Sequence, residues 1–490
     1  MDYLDPRKRL RHTITLYVGY VLIGIAIIIA TIVLLYQAYG FGIDRKGTVI
    51  QNGLVFISSQ PRPADIYING KLEAAKTNTR LALPEASYNL ALHRDGYQDW
   101  KRTIAIEGGK VFHYDYPFLV PKTITSTKLL SYDQAPTLIT QSPDQRWLVV
   151  AQPAAPRTFD VFDLKTPVKT PVTITLPDSV LAAATTESWQ LIEWADDNQH
   201  VLLQHVYDGK SEYVLVDRQT PAQSVNLTTT LAINPTRLNL IDRKYDRYYA
   251  YEASNQTLSR LSLKSVAPTP ALSGVISYQS YGSDVLLYAT KIGASAGKVR
   301  ISLQTGGRIY TIRSVTADAD YLLDITKYDN TFYAVIGASS ESRVYIYRDP
   351  VAQIGSNVFQ SPTPLQVLHV DKPTFVGFSS SAQYIVAENG SQFGVYDIEN
   401  KHGYNYLSKQ PLDSPQPHAS WMDGNRLTYI SNGKQVIFDY DYQNVRELGK
   451  ALPASKPLFS PDYKYSYTVV SGSAGQTVIS QTALLIPSEL

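Results

Sequence analysis

Hydrophobicity changes character three times along the chain. Residues 13–36 form one apolar run rich in Ile, Leu and Val, inside a stretch from Thr13 to Ile43 that carries no charge. Coiled as a helix, such a run rises about 36 Å at ~1.5 Å per residue, enough to cross a hydrocarbon core of ~30 Å with some tilt. It is apolar all round, whereas a helix on a globular surface is apolar on one face. Residues 54–120 alternate instead with period two, which predicts strands at 54–59, 64–68, 88–93, around Ile104 and Ile106, and at 111–118. Asn69-Gly70, Asp95-Gly96 and Gly108-Gly109 punctuate them, and Asn-Gly is the pair best suited to a two-residue hairpin turn.

From about residue 142 a longer phrase recurs: a polar turn, a hydrophobic strand, a second turn, then a strand often ending in Asp. Clear copies are Ser142-Pro143-Asp144 through Val150 with residues 160–164, and Asp196-Asp197-Asn198 through Leu203 with residues 213–217. Others begin at Asp423 and Ser460, and weaker ones near Asp242, Ser283, Tyr328 and Ser379. The spacing is about 45 residues, within the ~40–50 of propeller blades. A hairpin of this kind buries its second face only against the next one, so the copies are expected to close into a ring. The final copy lacks an outer strand that residues 123–130 could supply. Eight blades with N-terminal strand closure are predicted. Seven is the alternative, because the copies near Asp242 and Tyr328 are faintest.

Composition adds a topology. The 490 residues hold 45 Lys+Arg, 43 Asp+Glu and no cysteine, for a net charge of +2. Arg7, Lys8, Arg9 and Arg11 against Asp2 and Asp5 account for all of that excess, so the remaining body is neutral. A neutral body argues against nucleic-acid binding. By the positive-inside rule the basic tail stays cytoplasmic and residues after about 44 face outward. A cleaved signal peptide has an apolar core of roughly 7–15 residues and small residues before the cut. Here the core is longer, and Tyr36-Gln37-Ala38 places a bulky ring at the nearest candidate site. The reading is a single-pass signal anchor in the lipid bilayer through residues 13–36. Without cysteine, disulfides, thiolate metal sites, thiol catalysis and Cys-linked lipid are excluded.

Two resemblances follow from these residues. Ser59-x-Pro61, Ala64-Asp-Ile-Tyr-Ile-Asn-Gly70, Thr77, Leu81, Pro84-Glu85-x-x-Tyr88 and Arg94-Asp-Gly96-Tyr97 resemble the PEGA domain, a small β-sandwich of exported bacterial and archaeal proteins. The pattern departs at Pro63, at Thr77-Asn78 and at Pro84-Glu85-Ala86-Ser87. The resemblance implies a wall-proximal adaptor without catalytic residues. The Ser-Pro-Asp turns at Ser142 and Ser460 are similar to those of WD-repeat-like propellers in secreted bacterial proteins, including Tol-system and peptidase propellers.

Strings that suggest chemistry do not assemble. Gly293-Ala-Ser295-Ala-Gly297 matches the nucleophile elbow, but a strand rather than a helix follows it. His200 and His205 are five apart on one strand, hence on opposite faces. The loop from Asp439 lacks a calcium loop's Gly and closing Glu, and Asp318 and Asp320 lack a third ligand. Tyrosine, at 36 residues, is the compositional outlier. Tyr463, Tyr465 and Tyr467 have period two and form a candidate aromatic platform, with further clusters at Tyr245, Tyr248, Tyr249 and Tyr251 and at Tyr404 and Tyr406. Packing between blades is the competing explanation.

The expected architecture is all-β apart from one transmembrane helix: tail 1–12, anchor 13–36, linker 37–53, PEGA-like domain 54–120 and propeller 121–490. The expected function is non-catalytic binding of an envelope protein or polysaccharide, with no catalytic residue, cofactor or metal predicted. A glycan-active enzyme working in the propeller channel and a structural spacer are the alternatives.

Overall fold

The computed structural model describes residues 6–38, 41–43, 49–166, 170–317, 320–355, 361–414 and 418–489. They divide into two compact units, Met1–Thr123 and Ile124–Leu490.

The first unit opens with the helix Pro6–Ala38. Its segment Leu10–Tyr36 is long and apolar enough to cross a membrane, and no side chain in that segment is buried by protein. Isoleucine and leucine are exposed around the whole helix, a surface that could insert in a membrane.

Two four-stranded sheets follow. One contains Phe41–Ile43, Val49–Ile57 and Thr79–Pro84, with Val111–Tyr114 parallel to Val49–Ile57. The other orders Lys71–Lys76, Asp65–Ile68, Ala86–His93 and Trp100–Ile106. Alternation fixes which face is inward: Trp100, Arg102, Ile104 and Ile106 are buried, and Lys101, Thr103 and Ala105 are exposed. Asn69 and Gly70 both take positive φ, 49° and 79°, as their hairpin requires. A side chain at Gly53 would lie 2.5 Å from Ile106 Cγ2, so the backbone there needs glycine's lack of Cβ. The last strand stops at Tyr114 rather than 118, opposite Ile57, where its partner strand ends.

The second unit is an eight-bladed β-propeller. Its eight four-stranded sheets occupy residues 139–175, 187–226, 237–273, 275–316, 321–368, 375–407, 420–450 and 458–483, the last completed by Ser126–Tyr132. That N-terminal strand pairs antiparallel with Thr477–Ala483 and closes the ring. It begins three residues later than the sequence suggests, just after Thr125 accepts the Ala483 N–H.

The two faint repeats are full blades. Their signature is weak because a two-residue turn replaces the Ser-Pro-Asp turn: Asp242-Arg243 in blade 3 and Asp329-Asn330 in blade 5, all four at positive φ. Where the longer turn is present, serine builds it. Ser142 Oγ bonds Asp144 and accepts the Trp147 N–H, and Ser460 repeats both contacts with Asp462 and Tyr465. The fourth residue of such turns, Gln145 or Tyr463, is left-handed at φ 60° or 54°.

Neighbouring blades share apolar cores. Blades 1 and 2 bury Val149, Phe159, Trp189 and Leu203 together, and blades 4 and 5 bury Ile301, Leu303, Ile325 and Ile336. Blade 8 meets blade 1 through Ile479, Tyr467, Leu148 and Phe162. Each fully buried Leu or Ile contributes roughly 1.5–3 kcal/mol, so no sheet is stable without its neighbours. Between blades 6 and 7 the contact is aromatic. Phe393 and Tyr406 face Tyr429, Phe438 and Tyr442 at centroid distances between 5.2 and 6.2 Å.

Candidate ligand site

First strands of five blades, 1, 2, 6, 7 and 8, converge on one cavity, which marks the propeller axis. This cavity of about 340 Å³ is lined by Ile139 to Gln141 of blade 1, Leu191 of blade 2 and Phe375 of blade 6. Gln145 of blade 1, His418 to Met422 at blade 7 and Lys456 to Phe459 at blade 8 complete it. The volume falls in the range of ordinary small-molecule sites, roughly 300–1,000 Å³. Among the described residues its lining holds one imidazole, one ammonium and no carboxylate.

The geometry of the walls is well defined. Phe375 and His418 stack in parallel, 3.9 Å between centroids. His418 Nδ1 donates to the Ala419 carbonyl at 2.7 Å, and burial pushes its pKa down. The ring is then neutral with Nε2 as an acceptor. Trp421 is packed against Tyr384 at 6.0 Å, and its Nε1–H is buried without a hydrogen-bond partner. Gln141 donates through Nε2 to the Phe459 carbonyl, which ties blade 1 to blade 8 and leaves its oxygen as an acceptor.

Lys456 is exposed, lines the cavity, and has no ion pair among the described residues. Surrounding protein nevertheless lowers its pKa by desolvation. Both observations describe a side chain standing in an enclosed, water-accessible channel.

Glu388 holds this wall from behind. It is fully buried, and its two oxygens accept the N–H groups of Ala419 at 2.7 Å and Gly390 at 2.8 Å. Desolvation raises its pKa to about 7.

None of the residues singled out in the sequence lines the cavity, although Tyr463 packs on Phe459 and its hydroxyl accepts from Gln145, both lining residues. Tyr463, Tyr465 and Tyr467 do not share one strand face. Tyr463 sits in the left-handed fourth position of the Ser-Pro-Asp turn, and the strand starts only at Tyr465. Tyr467 is buried in the core between blades 8 and 1. Tyr248 and Tyr249 are likewise fully buried, and Tyr404 and Tyr406 pack on Tyr440 and Phe438. Arg7, Lys8, Arg9 and Arg11 lie in the first turns of the N-terminal helix.

Gly293 to Gly297 form a loop between the strands Val285–Thr290 and Lys298–Thr305, with no helix behind Ser295. His200 bonds Asp197, while His205 is buried between Glu187 and Glu212. Asp439 is buried and accepts from Asn444. Asp318 lies outside the described residues. Among the described residues no group of three or more His, Asp or Glu is placed to hold a metal ion.

The channel residues have a sequence signal, which depends on the phase of the repeat. Gln141, Trp421 and Phe459 each come one or two residues before the turn that opens their blade. Lys456 precedes Phe459 by three.

Residues 52–119 match the PEGA domain. Within it, the residues that carry the resemblance are structural. Ser59 and Thr77 bond each other at 2.8 Å in the interior, and Thr77 Oγ1 accepts the Ala64 N–H. Arg94 donates to the Pro63 carbonyl, and Glu85 accepts the Gly108 N–H. No curated protein matches the chain.

Solved structures similar to it include Hsv2 of Kluyveromyces lactis, at 10% identity and TM-score 0.41 over 64% of this chain and 97% of that one. An oligogalacturonate lyase in complex with manganese is 12% identical, TM-score 0.40, over 75% and 100%. An uncharacterized Listeria monocytogenes protein is 13% identical, TM-score 0.39, over 66% and 92%.

Proposed function

We propose that this chain is a membrane-anchored, extracytoplasmic binding protein of the bacterial envelope, in which the PEGA domain links the anchor to a non-catalytic propeller. The observation that carries this reading is the axial cavity. It joins aromatic rings, one cation and a few hydrogen-bonding groups, a composition suited to holding a ligand. Its lining offers no carboxylate to pair with His418 as acid and base, which favours binding over chemistry. The exposed apolar helix behind a basic segment supports insertion with the N-terminus in the cytoplasm.

The test is crosslinking in intact cells from a photoreactive residue at Ser420, followed by identification of what is captured. A recurrent envelope protein or polysaccharide supports the reading. Repeated capture of nothing favours a spacer. Processing of an added envelope glycan by the purified chain overturns the non-catalytic part.

A further inference from the structure

The polar groups around the axial cavity are of both kinds. Lys456 Nζ and Ser420 Oγ are donors without a partner among the described residues. His418 Nε2 and the Gln141 oxygen are acceptors, because the other nitrogen of each is already committed. A bare phosphate or sulfate needs donors only. A neutral sugar needs donors and acceptors but leaves an ammonium without a counter-charge. The ring walls, Phe375 stacked on His418 and Trp421 beside them, suit the apolar face of a pyranose.

One further fact makes this a built site. Glu388 fixes the backbone between His418 and Ser420 through one oxygen, on the Ala419 N–H, and is itself held through the other by the Gly390 N–H, so the wall is preorganised.

We propose that the axial cavity binds an acidic saccharide unit, with its carboxylate on Lys456, its ring against Trp421 and the Phe375–His418 pair, and its hydroxyls on Ser420, Gln141 and His418 Nε2. This rests on the binding reading above and names its ligand class. Lys456 sets the specificity. Its charge, standing in a partly desolvated channel, counts for more than on an open surface.

The experiment is calorimetric titration of the full chain in detergent with D-glucuronate, D-glucose and sodium sulfate. Glucuronate is expected to bind at least tenfold more tightly than glucose and to resist displacement by equimolar sulfate. Lys456→Gln is expected to lower glucuronate affinity tenfold or more while leaving glucose unchanged. Lys456→Arg restores most of the loss, and Trp421→Phe weakens both sugars. Thermal melts of each variant separate lost binding from lost folding.

Equal affinity for glucose, complete displacement by sulfate, an unaffected Lys456→Gln variant or no glucuronate binding would each overturn the proposal. If glucuronate fails but crosslinking from Ser420 still captures a protein, the binding reading stands and only the saccharide is rejected.

Discussion

Tyr132, on the strand that closes the propeller, donates its hydroxyl to the buried carboxylate of Asp160 in blade 1 at 2.8 Å. The bond crosses the seam between the last and first blades. Gln152 and Thr173 donate to the other Asp160 oxygen at 2.7 and 3.0 Å, so among the described residues Tyr132 alone serves Oδ2. Tyr132→Phe removes that donor and leaves half of a buried carboxylate unsatisfied. The expected loss is about 1.5–3 kcal/mol. Urea unfolding of the full chain in detergent measures it. An unchanged midpoint would show that water or a rearranged side chain takes the place of the hydroxyl.

Glu388 gives the propeller a pH dependence of defined sign. Its carboxyl titrates at about 7 in the folded chain and near ~4.3 in an unfolded one. Between these values the folded state binds more protons, so stability is full below about pH 4.3 and falls as pH rises to about 7. Asp324, pushed up to about 6 by burial, adds a second fall of the same sign. Unfolding midpoints collected from pH 4.5 to 8 are expected to decline, and Glu388→Gln is expected to remove the part of the decline nearest neutrality. Parallel curves for the two proteins would exclude Glu388 as its source.

A buried network fastens blade 1 to blade 2. His205 is fully buried, with Nδ1 2.9 Å from Glu212 and Nε2 3.3 Å from Glu187, and its ring stacks on Trp189 at 4.6 Å. Arg157 of blade 1 reaches Glu187 at 2.9 Å, and Glu212 also accepts from Asn226 and the Ala182 N–H. Such a network specifies geometry more than it adds stability, yet breaking it strands buried polar groups. Glu212→Ala is expected to cost about 3–5 kcal/mol. A loss below 1 kcal/mol, read from thermal unfolding, would mean that solvent reaches this site.

The elements with period-two alternation and strong turn residues were legible from sequence: the Asn69-Gly70 hairpin, the Ser-Pro-Asp blades at Ser142 and Ser460, and the closing strand. Alternation reports burial directly, and turn residues report positive φ. The blades opened by Asp242-Arg243 and Asp329-Asn330 were harder to read, since a two-residue turn has no serine signature. The cavity was not legible. Phe375, His418, Trp421 and Lys456 come from three successive blades, as much as 81 residues apart in sequence, and only the packing of the blades around one axis brings them together. The tyrosine row misled because the left-handed turn position at Tyr463 interrupts the strand phase that spacing assumes.

The absence of cysteine makes the topology directly measurable, because one introduced thiol is the only one present. Lys71, exposed on the PEGA domain hairpin, and Lys8, in the basic segment before the apolar run, lie on opposite sides of the span Leu10–Tyr36. If the basic residues hold the N-terminus inside, a membrane-impermeant maleimide labels Lys71→Cys in intact cells and labels Lys8→Cys only after permeabilisation. In a bacterium with an outer membrane, that layer is opened first so the reagent meets only the inner bilayer. Replacing Arg7, Lys8, Arg9 and Arg11 with Glu removes the charge bias while leaving the apolar run intact. Labelling of Lys71→Cys in that background is then expected to fall, as part of the population inserts in the opposite sense. Undiminished labelling would assign the orientation to the exported domains themselves, and labelling of Lys8→Cys in intact cells would reverse the topology.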